Sequence, residues 1–298
     1  MSGKILLDTD IGSDIDDAIC LAYLLSQPEC ELLGVTTVSG ESEKRAMMAS
    51  VICTSAGRSD IPIFPGTELP LLTPQKQPVA YQAVKMPDWE HKTDFPPNAH
   101  IEFMRRTIKK YPGEVTLLGI GPMTNIALLF SVDPEIPLLL KQLVIMCGIF
   151  TFKTPLYTCL TEWNASCDPY ATAIVYNAPV KTIKSVGLDV TTHVTMDKKE
   201  FIKKIEETKN EIFKPVIDFL SVRSLDGFIT FHDPLAAAVI FDEAICGFES
   251  GTIETDIESS RSKGLLYFDK SLDSKNKIAM YVDRNKFFGH FFEIINKS

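Results

Sequence analysis

The sequence predicts an α/β fold, a mostly parallel central sheet flanked by helices in a Rossmann-like arrangement. Three observations carry this. Short apolar β-type runs alternate with helical runs through the first two-thirds of the chain, the pattern that builds a parallel sheet with helices on both faces. The residues with chemical potential fall just after those runs, where ligands bind in such sheets. No repeat, low-complexity tract or clear linker interrupts the 298 residues, so residues 1–298 read as one domain.

In chain order, residues 4–7 form a first apolar strand and 16–26 an apolar helix. A buried strand at 32–37 leads to a helix over 43–56, and a short strand at 61–64 is closed by Pro65-Gly66. Strands follow at 115–119, 143–146 and 180–183, with helices over 123–130 and 169–176. Residues 198–224 read as charged, solvated helices outside the sheet; 278–282 and 284–295 read as a last strand and a closing amphipathic helix. Residues 68–98 break the alternation. They are rich in Pro and polar residues and carry Tyr81, Trp89, His91 and Phe95; an aperiodic stretch of this length predicts a lid or mobile insertion.

Composition narrows the function. Hydrophobic residues make up 45% and charged residues 23%, ordinary for a soluble globular protein. A net charge of -9 with scattered basic residues argues against a nucleic-acid partner. No apolar run approaches the roughly 20 residues that span a bilayer, and the start reads straight into a strand rather than as a signal peptide. The seven cysteines form no C-x-x-C pair, which predicts free thiols and a cytoplasmic location.

The strongest local signal is Asp8-Thr9-Asp10-Ile11-Gly12-Ser13-Asp14-Ile15-Asp16-Asp17, five aspartates in ten positions with no Lys or Arg. Helix capping accounts for one or two of them. The remainder call for a counter-charge, and a hard divalent cation suits carboxylate oxygens. An EF-hand is a poor fit, because Ile19 stands where the terminal Glu belongs. Three further clusters join it. His232-Asp233-Pro234 precedes an apolar run; a plain N-cap Asp before Pro is the structural alternative. Gly121-Pro122-Met123-Thr124-Asn125 follows a strand and offers backbone carbonyls to a cation. Glu162-Trp163-Asn164 with Asp168-Pro169 suits a polyol.

Taken in order, Asp10-x-Gly12 with Asp16-Asp17-Ala18, Gly121 to Asn125, Glu162-Trp163-Asn164 with Asp168-Pro169, and His232 to Ala236 resemble the nucleoside hydrolases of the inosine–uridine preferring superfamily. The runs 36–40 and 144–148, the latter containing Met146, also look familial. The resemblance implies that fold and the Ca²⁺-dependent hydrolysis of a ribonucleoside to free base and ribose. It implies a Ca²⁺ site of Asp10, Asp17, the Thr124 carbonyl and Asp233. Asp10 would also be the general base and His232 the group near the leaving base. Asp14 or Asp16, Glu41, Met146, Glu162 and Asn164 would contact substrate, and the chain would assemble as a homodimer or homotetramer. The chemistry agrees: N-glycosidic cleavage passes through an oxocarbenium-like sugar, and a metal acidifies and orients the attacking water.

The chain departs from the commoner family pattern at four places. Two extra residues precede Asp16-Asp17, which leaves Asp14 and Asp16 both open as the ribose ligand. Glu41 and Leu156 stand where Asn is usual, and the segment after the third strand is replaced by the 81–95 insert. Two other readings stay in view. One is a riboside-binding protein of this fold without turnover, or a hydrolase of a non-standard N-riboside. The other is a Mg²⁺ phosphotransferase, since Asp8-x-Asp10 also resembles the haloacid-dehalogenase-like nucleophile motif.

Overall fold

A computed structural model describes residues 3–151 and 161–297. Its centre is a nine-stranded sheet. The strands in chain order are β1 (Gly3–Thr9), β2 (Cys30–Thr37), β3 (Ile63–Pro65), β4 (Val115–Gly119), β5 (Gln142–Ile145) and β6 (Ile183–Ser185). After a separate antiparallel pair, β7 (Thr195–Asp197) and β8 (Phe228–Thr230), come β9 (Cys246–Thr255), β10 (Leu266–Lys270) and β11 (Asn276–Val282). The sheet order is β10-β9-β11-β6-β5-β4-β1-β2-β3. From β3 to β11 every neighbouring pair is parallel; β9 joins β11 and β10 antiparallel.

The parallel strands are buried on both faces, and their sequences (Ile5-Leu6-Leu7, Val115-Thr116-Leu117-Leu118) are correspondingly continuous rather than alternating. Two apolar layers result. One packs Ile5, Leu7, Val35, Leu118 and Val144 under the helices Asp16–Ser26, Ser42–Ser55 and His232–Phe241; the other packs Leu6, Leu117, Leu143 and Ile145 under Thr124–Val132 and Pro169–Asn177. At the far end, Phe287 and Phe291 of the closing helix Arg284–Ile295 meet Phe231 edge-on, with ring centroids 5.9 and 5.7 Å away. Aromatic contact therefore fixes the residue that immediately precedes His232.

Most expected elements fall within a few residues of their predicted ranges, and the alternation is the one anticipated. The hairpin β9–β10 was not anticipated. The fully buried positions of β9 are Cys246, Gly251, Ile253 and Thr255, of which Ile253 alone is a large apolar residue, so the strand carries little apolar alternation. Residues 198–224 form the helices Lys198–Thr208 and Lys214–Leu220; they are solvated on one face and bury Phe201, Ile205, Phe213, Val216 and Phe219 on the other. Among the described residues no helix is long and apolar enough to cross a membrane.

The segment 68–98 is the one the sequence marks as a lid or mobile insertion. It is an irregular strap with one 3₁₀ stretch, Tyr81–Asp88, and it is tied down at both ends. Leu71 N–H donates to Asp168 Oδ2 (2.8 Å), Thr73 Oγ1 to the Cys167 carbonyl (2.8 Å), Gln82 N–H to the Gly12 carbonyl (3.0 Å) and Trp89 Nε1 to Asp218 Oδ2 (3.1 Å). Gly12 sits at φ +117°, where a Cβ would meet Met48 Sδ at 2.9 Å and the strap's Ala80 Cβ at 3.0 Å, so glycine is required where the strap crosses the acidic loop.

Candidate active site

The carboxyl ends of β1, β4 and β5 open into a cavity of about 520 Å³. Asp10 follows β1, and Asp16 and Asp17 open the helix Asp16–Ser26, with their charges at its positive end. Asp233 enters from the first turn of His232–Phe241. Asp10, Asp16, Asp17 and Asp233 are each at most 6% exposed. Carboxylate oxygens of Asp16, Asp17 and Asp233 lie within 4.8 Å of one another. Elements remote in sequence thus bring four acids to one floor.

Burial pushes all four carboxyls above the ordinary range. For Asp17 and Asp233 the charges of neighbouring aspartates add to it, and for Asp16 the charge of Asp14 does. The sequence reading saw no counter-charge within the acidic loop. The fold supplies one: Arg45, from the helix Ser42–Ser55, is fully buried. Its guanidinium donates to the carbonyls of Gly40 (2.8 Å), Asp10, Ile11 (3.1 Å) and Val79 (3.3 Å) and to Ser13 Oγ (3.0 Å). Arg45 clamps the backbone of the loop to the strap. One cation against four buried carboxylates leaves a strong negative excess.

The donor set tests what would relieve that excess. It consists of carboxylates, and no thiol or imidazole belongs to the triad; Ile120, just after β4, lines the same cavity. Such hard oxygens fit Ca²⁺ or Mg²⁺ rather than a softer metal. Thr124 is placed differently from the expectation. It is the first residue of the helix Thr124–Val132, its carbonyl is committed to the helical ladder, its hydroxyl donates to Asp168 Oδ2 (2.7 Å), and it does not line the cavity. Ile120 lines the cavity instead.

Glu162 and Asn164 form the wall opposite the aspartates. Glu162 caps the short helix Trp163–Cys167 and accepts N–H bonds from Asn164 (2.7 Å), Ala165 (2.9 Å) and Gly148 (3.1 Å). Burial raises its carboxyl pKa, and these bonds partly offset the rise. Asn164 Nδ2 donates to the carbonyls of Ile120 (2.8 Å) and Met146 (3.1 Å), and Met146 also lines the cavity. His232 is half-buried; its Nδ1 is 2.7 Å from Thr191 Oγ1, and burial lowers its pKa to about 4.

Asp14 and Glu41 do not join the floor. Asp14 is exposed at the mouth, 3.4 Å from Arg223 Nη1. Glu41 adopts a left-handed backbone (φ +57°), accepts from Ala80 N–H (2.9 Å) and Lys44 Nζ (2.5 Å), and does not line the cavity. Leu156 lies outside the described residues. Of the two candidate ribose ligands, Asp16 is the one at the floor. Sequence reasoning missed Gln77. Its Nε2 donates to Asp10 Oδ2 (2.6 Å) and its Oε1 accepts from Trp163 Nε1 (2.6 Å), so the strap is bonded to both walls. No spacing within an aperiodic segment singles out that residue.

Asn125 and Asp8 form the support behind the floor. Asn125 Nδ2 donates to Asp8 Oδ1 (2.8 Å) and the Thr37 carbonyl (2.9 Å). Thr36 Oγ1 also donates to Asp8 Oδ1 (2.5 Å), while Asp8 Oδ2 has no partner and burial pushes the carboxyl up to about 7. A fully enclosed Asp8 has no path to a phosphoryl donor, which removes the phosphotransferase reading of Asp8-x-Asp10.

The fold and site define an α/β protein whose strand ends and helix starts gather buried carboxylates into one cup, with a Glu–Asn wall beside it. The model of the inosine-uridine preferring nucleoside hydrolase family matches residues 5–289, and the chain belongs to that family. It is 30% identical over 281 residues to a probable uridine nucleosidase 2 of Arabidopsis thaliana, covering 89% of this chain and 85% of that protein. It is 28% identical to the inosine-uridine preferring nucleoside hydrolase of Leishmania major, covering 96% and 95%. A solved plant nucleoside hydrolase superposes with a TM-score of 0.88 at 22% identity over the full length of both chains, a likeness of fold. The protein is therefore a hydrolase of N-glycosyl bonds, in a family that depends on a metal.

Proposed function

We propose that the protein is a Ca²⁺-dependent ribonucleoside hydrolase that releases free base and ribose by attack of water on C1′. The observation that carries this is the convergence of Asp16, Asp17 and Asp233, with oxygens within 4.8 Å, beside Asp10 and opposite Glu162 and Asn164. Asp10, Asp17, Asp233 and the Ile120 carbonyl would hold the cation. What a bound divalent cation supplies there is acidification of water and an anchor for sugar hydroxyls.

Asp10 takes the proton of the attacking water. Gln77 holds its Oδ2, so the carboxylate cannot rotate away, and such fixed orientation is a large part of catalytic effect. Asp16, Glu162 and Asn164 bind the ribose hydroxyls. Their burial makes those hydrogen bonds strong and spends binding energy on orienting C1′. Glu162 has its lone pairs partly satisfied by three N–H groups, which keeps it fixed as an acceptor. As the glycosidic bond weakens, positive charge at C1′ is stabilised by the surrounding acids. His232, held by Thr191, lies on the side from which the base departs.

The family relatives are named for uridine and for inosine with uridine, which makes these two nucleosides the first substrates to try. Incubation with inosine, uridine and other ribosides, followed by reducing-sugar detection, tests the reading. Tight nucleoside binding without ribose release, with calcium shown to be bound, would favour a binding protein instead.

A further inference from the structure

Behind the Glu–Asn wall stand three buried residues that do not line the cavity. Ser185 ends β6, Tyr176 lies in the helix Pro169–Asn177, and Cys147 comes just after β5. Each is at most 1% exposed. Tyr176 Oη lies 2.8 Å from Ser185 Oγ, and Ser185 Oγ donates to the Cys147 carbonyl at 2.6 Å. A carbonyl only accepts, so the single serine proton points at Cys147, and the proton between the two hydroxyls comes from Tyr176. Donation therefore runs one way, from Tyr176 to Ser185 to the Cys147 carbonyl.

That carbonyl shares a peptide unit with the Gly148 N–H, which donates to Glu162 Oε2 (3.1 Å). The unit is planar, so holding its oxygen fixes the direction of its N–H. The next carbonyl, that of Gly148, accepts from Leu188 N–H (2.9 Å). Gly148 sits at φ +96°, and a Cβ there would meet Phe150 Cζ at 2.6 Å and Leu266 Cδ1 at 2.7 Å, so glycine is required where the chain turns its N–H onto Glu162. Hydrogen bonds in a chain also polarise one another. Donation into the Cys147 carbonyl makes the N–H of the same peptide a better donor. Both effects end on Glu162, whose carboxyl is pushed up by burial and pulled back in part by the Gly148 bond.

We propose that Ser185, supported by Tyr176, is a positioning residue: through the Cys147–Gly148 peptide it aims the N–H that holds Glu162 Oε2, and so fixes that carboxylate as an acceptor for a ribose hydroxyl. The inference rests on the riboside reading above and adds to it the residues that hold the sugar-binding acid still. Ser185 itself touches neither sugar nor cation. Its effect reaches the substrate only through one peptide plane and one carboxylate.

Ser185→Ala removes the donor and leaves the Cys147 carbonyl free to tilt. With a riboside that the wild type cleaves, in saturating calcium, KM should rise about fivefold, the scale of one hydrogen bond, while kcat falls by less than about twofold. Tyr176→Phe leaves Ser185 in place and should move KM the same way by a smaller factor. A parallel readout needs no turnover. The carboxyl carbon signal of Glu162, assigned by its loss in Glu162→Gln and followed by NMR against pH, should titrate at higher pH in Ser185→Ala than in the wild type, because the bond that favours the charged form is weakened. A role in packing alone would lower Tm and leave both KM and the Glu162 titration at their wild-type values, and that result overturns the proposal. Wild-type protein that releases ribose from no riboside with calcium bound overturns the riboside reading instead. The Glu162 titration then still decides the link to Ser185: a displaced curve supports it, and an unmoved one overturns it.

Discussion

The floor and the strap wall of the active site are built by different means. The floor is made of strand ends and helix starts: Asp10 after β1, Asp16 and Asp17 on the first turn of one helix, Asp233 on the first turn of another. Regular elements with buried apolar faces fix those positions, and short motifs mark them. The wall is irregular chain, residues 68–98, held by scattered bonds from Arg45, Asp168, Gly12 and Asp218. On the reading proposed above the floor carries the chemistry. The strap closes one side of the cavity and is held by bonds that no periodicity announces.

If the floor carries the chemistry, its substitutions have the largest effect. Asp17→Asn or Asp233→Asn should abolish stoichiometric calcium binding by titration calorimetry and lower kcat/KM by more than the roughly 100-fold reached when outer-shell partners of a metal are changed. Asp10→Asn should lower kcat at nearly unchanged KM, whereas Asp16→Asn should raise KM for the riboside more than it lowers kcat. Equal behaviour of the last two would erase the division between base and ribose ligand.

Arg45 joins floor to wall, so its removal should injure both. Arg45→Met leaves the buried carbonyls of Gly40, Asp10 and Ile11 and the outer carbonyl of Val79 without this donor, and Asp10 without its nearby cation. A loss of about 3 kcal/mol in urea unfolding is expected, with activity falling in the fraction that stays folded.

The pH dependence of the metal-free protein sharpens the electrostatic difference. Asp8 and the four floor acids have folded pKa values raised above the unfolded value, Asp8 to about 7. Such groups contribute stability that is present below about pH 4 and is lost as pH rises through the folded values. The Tm of metal-free protein should therefore decline on going from pH 5 to pH 8, once differences unrelated to the site are removed with an Asp17→Asn, Asp233→Asn control. Calcium should flatten the decline, because it binds the ionised form. The smallest effect is expected at Glu41. Its carboxylate faces Lys44 and the Ala80 N–H rather than the cavity, so Glu41→Gln should cost at most about 1 kcal/mol in stability and leave KM within a factor of about three.

The same division explains what was legible in the sequence. The α/β alternation, the floor acids and the Glu162–Asn164 wall all came from local patterns, because helix starts and parallel strands carry their periodicity and capping residues with them. Four features did not. The role proposed for Ile120 belongs to its backbone carbonyl, which no side-chain pattern marks, whereas the polar Thr124 nearby does stand out. Arg45 lies 28 positions beyond Asp17, inside an ordinary helix, and becomes a counter-charge only once that helix packs on the loop. The strap looked mobile because it lacks periodicity, yet its Pro-rich chain is held by side-chain to backbone bonds that depend on the tertiary fold. The hairpin β9–β10 escaped for a related reason, since an exposed edge need not alternate apolar and polar residues.

The most direct measurement is ribose release from uridine and inosine by protein freed of metal by chelation, followed by addition of calcium. Activity should vanish on chelation and return with about one equivalent of calcium bound, and Asp233→Asn should stay inactive at the same calcium concentration. Undiminished ribose release from protein shown by elemental analysis to carry no divalent metal would contradict the cation cup as the seat of the chemistry.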